Sequence, residues 1–167
     1  INMHGSILPQ LRGSAPVQRS ILNHCDEAGV TAMYLSAGMD EGDIIEIRKT
    51  AIQPLETSEE LMARLAQLAA PLCADTVRSI EAGTAPRIPQ DNARATYAPK
   101  IDRESARIDW TRDAATVSRA IRAYDPKPGA FTTHRGATLK LFGARILPDA
   151  QTDPGTVVDI GPEGMVV

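Results

Sequence analysis

No stretch of this sequence approaches the roughly 18 consecutive apolar residues that a membrane-crossing helix needs. The start lacks the pattern of a secretory signal, and no membrane partner is expected. It also lacks an initiator methionine: the chain opens Ile1-Asn2-Met3, which reads as the middle of a strand and therefore as an internal piece of something longer. Cysteine is scarce. Cys25 and Cys73 stand far apart, in no metal-ligand spacing, and read as buried or incidental thiols in a reducing cytoplasm. His4, His24 and His134 do not cluster either, so no metal site is expected. A large excess of one sign of charge is missing as well. The net charge is −3, and Lys and Arg are scattered rather than gathered into the basic patch of a nucleic-acid binder. The single tryptophan, Trp110, is expected to be packed rather than to serve as a stacking platform.

What is present is ordinary for a globular chain. There are 167 residues, 43% apolar and 23% charged, enough for one domain or one and a half. Residues 1–20 read as a strand end, a loop with Pro9 and Gly13, and a helix begun by Pro16. Asn23 to Gly29 reads as a polar turn, and Val30 to Leu35 and Ile44 to Ile52 as two strands of a long hairpin. Thr57-Ser58-Glu59-Glu60 is a strong helix start. Leu61, Leu65, Leu68, Leu72, Val77 and Ile80 continue it as a buried stripe to Gly83.

From Thr84 the period breaks at Pro86 and Pro89, the mark of a linker. Asp113 to Tyr124 reads as a helix. Ala130 to Thr133, Thr138 to Leu147, Gly155 to Ile160 and Gly164 to Val167 read as short strands of a small barrel or meander.

Two short pieces carry chemistry. Asn2-Met3-His4-Gly5-Ser6 places an amide and an imidazole two apart on a strand, hence on one face. Gly38-Met39-Asp40-Glu41-Gly42-Asp43 sets carboxylates between glycines at the mouth of the hairpin. Amide, imidazole and carboxylate together can polarise a carbonyl and move a proton.

These pieces also carry a resemblance. His4-Gly5-Ser6-Ile7-Leu8-Pro9, with Gly13 after it, resembles the H-x-S-L-L-P-x-x-x-G signature of the formyltransferases that use 10-formyltetrahydrofolate. Gly38 to Asp43 resembles that family's G-L-D-T-G-D. Within the family, three stretches are most similar to the branch that formylates methionyl-tRNA. They are Arg12-Gly13-Ser14-Ala15-Pro16-Val17-Gln18, Ala106-Arg107-Ile108-Asp109-Trp110, and Arg122 through Pro126-Lys127-Pro128-Gly129-Ala130. Three departures stand out: Ile7 for a common Leu, Glu41 for a usual Thr, and Lys127 for a usual Trp.

The resemblance implies an α/β fold: the second half of a Rossmann-like formyltransferase domain (1–85), a linker (86–101), and an incomplete OB-like β-barrel (102–167). It implies a cytoplasmic enzyme of bacterial type, or an organellar one in a eukaryote, expected to be a monomer. The implied reaction is transfer of formyl from 10-formyltetrahydrofolate, the co-substrate, to the amino group of initiator methionyl-tRNA. Asn2, His4 and Asp40 would be catalytic. Ser6, Ile7, Leu8 and Pro9 would hold the folate, Arg12 would lie along the path of the aminoacyl arm, and Arg103, Arg107, Lys140 and Arg145 would meet phosphates. Two alternatives stay open: a sugar amine or another small amine as acceptor, and an inactive fragment that serves only as a binding scaffold.

Overall fold

A computed structural model describes residues 1–148 and 152–167. At its centre lies an antiparallel hairpin. Strand β3 (Glu27–Met33) pairs with β4 (Ile44–Ala51), and β1 (Asn2–His4) runs antiparallel along the other side of β3. As the middle strand, β3 is covered on both faces, and Ala28 through Met33 are all buried. Its glycine is required by close approach. A Cβ on Gly29 would lie 2.6 Å from the Arg48 carbonyl oxygen and 2.9 Å from the Ile7 side chain. The hairpin is as expected, but β3 starts earlier, at Glu27. Pairing with Thr50 and Ala51 at the far end of β4 extends it into what reads as a polar turn.

Short strand β2 (Arg12–Gly13) and helix α1 (Pro16–Leu22) follow β1, and α1 buries Val17 and Ile21 against the sheet. Helix α2 (Ser58–Glu81) covers the same core with Leu61, Leu65 and Leu72. Its start is a capping box: the Thr57 hydroxyl accepts from the Glu60 N–H at 3.3 Å, and the Glu60 carboxylate accepts from the Thr57 N–H at 2.9 Å. Thr57→Ala removes half of this cap and should cost about 1 kcal/mol, read as a shift in the urea midpoint at unchanged slope.

The far end of α2 differs from the expected stripe. Val77 is 51% exposed and Ile80 39%, while Thr76 is buried. At 3.6 residues per turn, Leu65, Leu68 and Leu72 stay within about 40° of Leu61, whereas Val77 lies about 160° around the helix. The apolar identity of Val77 is therefore out of phase with the buried face.

The segment expected as a plain linker is anchored to the first unit. Ile88 and Ile44 exchange both backbone hydrogen bonds, at 2.8 and 3.0 Å. Strand β5 (Tyr97–Ala98) then runs parallel to β2. Beyond it, α3 (Ala114–Ala123) begins at Asp113, whose carboxylate caps the Thr116 N–H at 2.9 Å.

A second core forms from Ala106, Ile108, Ile121, Tyr124, Ala130, Phe131 and Leu141. Trp110 packs at its edge, with its indole N–H on the Thr132 hydroxyl at 3.0 Å. The two cores meet at α3, because Ala123 belongs to the first. The Ser58 hydroxyl also donates to the Asp125 carbonyl at 2.8 Å, and Arg122 to that of Glu56 at 2.9 Å.

Three of the last four strands are shorter than expected, and the first runs one residue longer. β6 (Ala130–His134) and β7 (Ala137–Leu141) form one hairpin, and β8 (Asp159–Gly161) and β9 (Gly164–Val166) another. Among the described residues these are two separate two-stranded sheets and no closed barrel forms. The expected strand over 138–147 starts one residue earlier and ends at Leu141. Ile160 is 78% exposed, so β-propensity there has no packed face to sit against. Among the described residues, no helix is long and apolar enough to cross a membrane.

Candidate active site

The sheet and its flanking loops bring His4 and Asp40 together. His4 closes β1 and is buried. Its Nε2 lies 3.0 Å from the Leu11 carbonyl oxygen, which can only accept, so Nε2 carries a hydrogen. The other ring nitrogen, Nδ1, faces Asp40 Oδ2 at 3.5 Å. That distance is longer than a formed N–H···O bond and leaves a gap between the two groups.

Asp40 sits at φ +52° in the left-handed region, which Asp tolerates better than most residues. Its Oδ2 accepts the Gly13 backbone N–H at 2.8 Å. Gly13 has φ +117°, and a Cβ there would stand 2.7 Å from the Ala98 carbonyl oxygen. The β2–β5 pairing thus needs a glycine at the residue whose amide holds the carboxylate. Asn2 is half-buried on β1, two residues from His4 and on its face of the strand.

The expected folate loop turns largely inward. Ser6 and Leu8 are buried, and Ile7 and Pro9 are half-buried. The Ser6 hydroxyl donates to the Gln10 carbonyl at 2.6 Å. Thr31 in β3 locks the loop: its hydroxyl donates to the Ser6 carbonyl at 2.6 Å and accepts the Leu8 N–H at 3.2 Å. Leu8 packs on Met33 and Ile44.

A cavity of about 430 Å³ opens beside the loop, between Ser6, Ile7, Pro9, Asp26 and Arg94, and its walls do not include His4 or Asp40. Cys25 also lines it. Burial, and then the nearby Asp26 charge, push that thiol's pKa up, the opposite of what a nucleophilic cysteine needs.

Arg12 is buried. Placed along the path of an aminoacyl arm by resemblance, it is 1% exposed, with its guanidinium turned into the protein. Nε and Nη2 both donate to Gln90 Oε1, at 3.1 and 2.8 Å, and Nη2 also to Asn92 Oδ1 at 2.8 Å. Nη1 lies 3.5 Å from the Glu41 carboxylate. With these donors directed inward, Arg12 does not present a cation to a ligand at the surface.

Of the basic residues expected to meet phosphate, Arg103 and Arg107 lie over the Phe131 ring, 5.5 and 4.9 Å from its centroid. Arg107 also pairs with Glu104 at 3.3 Å, and Lys140 donates to the Pro128 carbonyl at 3.2 Å.

Gln90 and Arg87 went unrecognised in the sequence. Gln90 Nε2 donates to the carbonyls of Asp40 and Gly42, each at 2.8 Å. Arg87 pairs with Asp43 at 3.1 Å and stacks over Tyr34 at 3.8 Å. Both lie in a Pro-broken stretch with no period to flag them.

The comparisons fit this arrangement. The pattern of the formyl transferase family matches residues 1–77, and that of the formyl transferase C-terminal domain matches residues 100–167. The chain belongs to the formyl transferase family. Among its relatives is a methionyl-tRNA formyltransferase of Methylacidiphilum infernorum, 44% identical over 171 residues. That match takes in 100% of this chain and 53% of the relative, so the chain spans about half the length of the curated relatives it matches.

Solved structures share the fold. HypX from Aquifex aeolicus in complex with tetrahydrofolic acid aligns with a TM-score of 0.80 at 24% identity, over 98% of this chain and 28% of HypX. Methionyl-tRNA formyltransferase from Clostridium thermocellum aligns with a TM-score of 0.72 at 23% identity, over 87% of this chain and 62% of that one.

Proposed function

We propose that these residues form part of an enzyme that transfers a formyl group from 10-formyltetrahydrofolate to the amino group of initiator methionyl-tRNA in the cytoplasm. The observation that carries the reading is the buried His4 facing Asp40 across a 3.5 Å gap, in a chain 44% identical to a methionyl-tRNA formyltransferase. The acceptor nitrogen attacks the formyl carbon, giving a tetrahedral oxyanion. The bond from that carbon to the folate nitrogen then breaks, and the proton lost by the ammonium is returned to the leaving nitrogen.

Asn2 donates to the oxyanion, and His4, its Nε2–H already on the Leu11 carbonyl, does so through an Nδ1–H gained in the reaction; a single positioned donor is typically worth about 10²–10³ in rate. Asp40 holds His4 and assists proton removal. Catalytic hydrogen bonds often tighten only when substrate is bound, which accommodates the present gap. Ser6, Ile7, Leu8 and Pro9 shape the folate side through backbone and apolar groups. The reaction divides across a catalytic unit (1–85), a connecting segment (86–101), and an OB-like unit (102–167) that holds the tRNA body. Arg12 is left out of direct substrate contact, because its donors are directed into the protein.

A sugar amine or another small amine is the competing acceptor. The full-length polypeptide carrying these residues should be assayed with 10-formyltetrahydrofolate against charged initiator tRNA, an amino sugar nucleotide and glycinamide ribonucleotide. Formylation of the charged tRNA is the expected outcome; formylation of the sugar alone would reassign the substrate. The 167-residue chain itself is expected to bind folate poorly, and submicromolar binding with turnover would remove the inactive-scaffold alternative.

A further inference from the structure

We propose that Gln90 is a positioning residue for Asp40, locked in place by Arg12, so that the connecting segment sets the geometry of the reaction centre. The role assigned to Asp40 rests on the proposed formyl transfer; the brace itself is read from the geometry alone.

A glutamine side chain offers one oxygen with two lone pairs and two N–H donors. All four are used. Oε1 receives two hydrogen bonds from Arg12, at 3.1 and 2.8 Å. Nε2 gives one to the Asp40 carbonyl and one to the Gly42 carbonyl, both at 2.8 Å. A guanidinium only donates and a carbonyl only accepts, so the amide has one orientation that satisfies every partner. Arg12 makes that orientation firm because its own guanidinium is buried and directed inward.

The two carbonyls that Gln90 holds straddle Glu41, at the point where Asp40 takes its left-handed backbone. Such a conformation persists in a side-chain-bearing residue only where the surroundings over-determine it. They do so from three sides. Gln90 fixes the backbone of Asp40. The Gly13 N–H, one residue after Arg12, fixes its carboxylate at 2.8 Å. Downstream, Arg87 holds Asp43 and Ile88 pairs with Ile44, so the same short segment pins the exit of the loop. Arg12 and Gly13 thus act on Asp40 twice, once through Gln90 and once directly.

The test uses Gln90→Ala and Gln90→Glu in the full-length polypeptide. Glutamate keeps an acceptor for Arg12 but has no hydrogen to give the two carbonyls. Both variants should lose kcat by up to about 10²-fold, the scale of an ångström-sized misplacement, with KM for folate and acceptor within about twofold. In both, the Gly13 amide should exchange with solvent at least about tenfold faster, while the Val30 amide in the central strand keeps its protection.

Wild-type kcat in Gln90→Ala would overturn the proposal, as would recovery in Gln90→Glu. So would a loss of protection shared equally by Gly13 and Val30, which would mean general destabilisation. If the wild-type protein formylates none of the three acceptors, the proposed function fails, and the Gly13 exchange rates still decide whether Gln90 braces the loop.

Discussion

Asp40→Asn is expected to lower kcat for formyl transfer by about 10²–10⁴, the usual range for removing a positioned acid–base group, while leaving the unfolding curve close to wild type. The substitution separates charge from shape. Asparagine keeps an oxygen that can accept the Gly13 N–H, now found on Asp40 Oδ2 at 2.8 Å. It also tolerates the left-handed backbone at φ +52°. What disappears is the negative charge 3.5 Å from His4 Nδ1. An imidazole ring that gains a proton during the reaction is favoured by a carboxylate at that distance and gains little from an amide. Single-turnover rates with saturating 10-formyltetrahydrofolate isolate the chemical step. A loss of less than about tenfold would remove Asp40 from the mechanism.

Gly42→Ala should be as damaging by a different route. A Cβ at this position would lie 1.7 Å from the Tyr34 carbonyl oxygen and 2.8 Å from its carbon. Both are backbone atoms, so no rotamer relieves the clash. The mouth of the hairpin must open, breaking the Tyr34 N–H to Asp43 carbonyl bond of 2.9 Å and pulling the Gly42 carbonyl off Gln90.

A cost of about 3–5 kcal/mol is expected, at the upper end for single substitutions, with activity falling at least a hundredfold through displacement of Asp40. Chemical denaturation reads the first and steady-state kinetics the second. Gly38→Ala is the control within the same loop. Its Cβ would meet the Glu41 carboxylate at 2.1 Å, the free end of a flexible side chain that can swing away. Equal damage from the two substitutions would contradict the steric account.

The contrast between these glycines marks how much of the site was legible in the chain. His4 and Asp40 could be paired because each lies in a short signature and a hairpin joins them. The hairpin could be read because β3 and β4 are rich in apolar and β-branched residues. Gly42 is spelled like Gly38, and only the Tyr34 carbonyl beside it makes one indispensable.

The burial of Arg12 was not legible because arginine is usually a surface residue. Its burial depends on Gln90 and Asn92, some eighty positions away, which no local pattern anticipates. Val77 and Ile80 misled for the opposite reason: they are apolar, but the rotation of the helix carries them past the core. In the last forty residues, β-branched runs suggested longer strands than form, because a strand needs a face to cover as well as a propensity.

Helix α3 ties the two cores together. Ala123 is buried in the first core, while Ile121 and Tyr124, its near neighbours, are buried in the second. The helix is a rivet through both bodies, reinforced by Ser58 on Asp125 and Arg122 on Glu56. Swinging one body against the other would pull a methyl group out of one interior or a phenol ring out of the other. The span from the β6–β7 hairpin to His4 therefore behaves as a ruler rather than a hinge. On the function proposed above, an acceptor that reached both ends would be measured by its length.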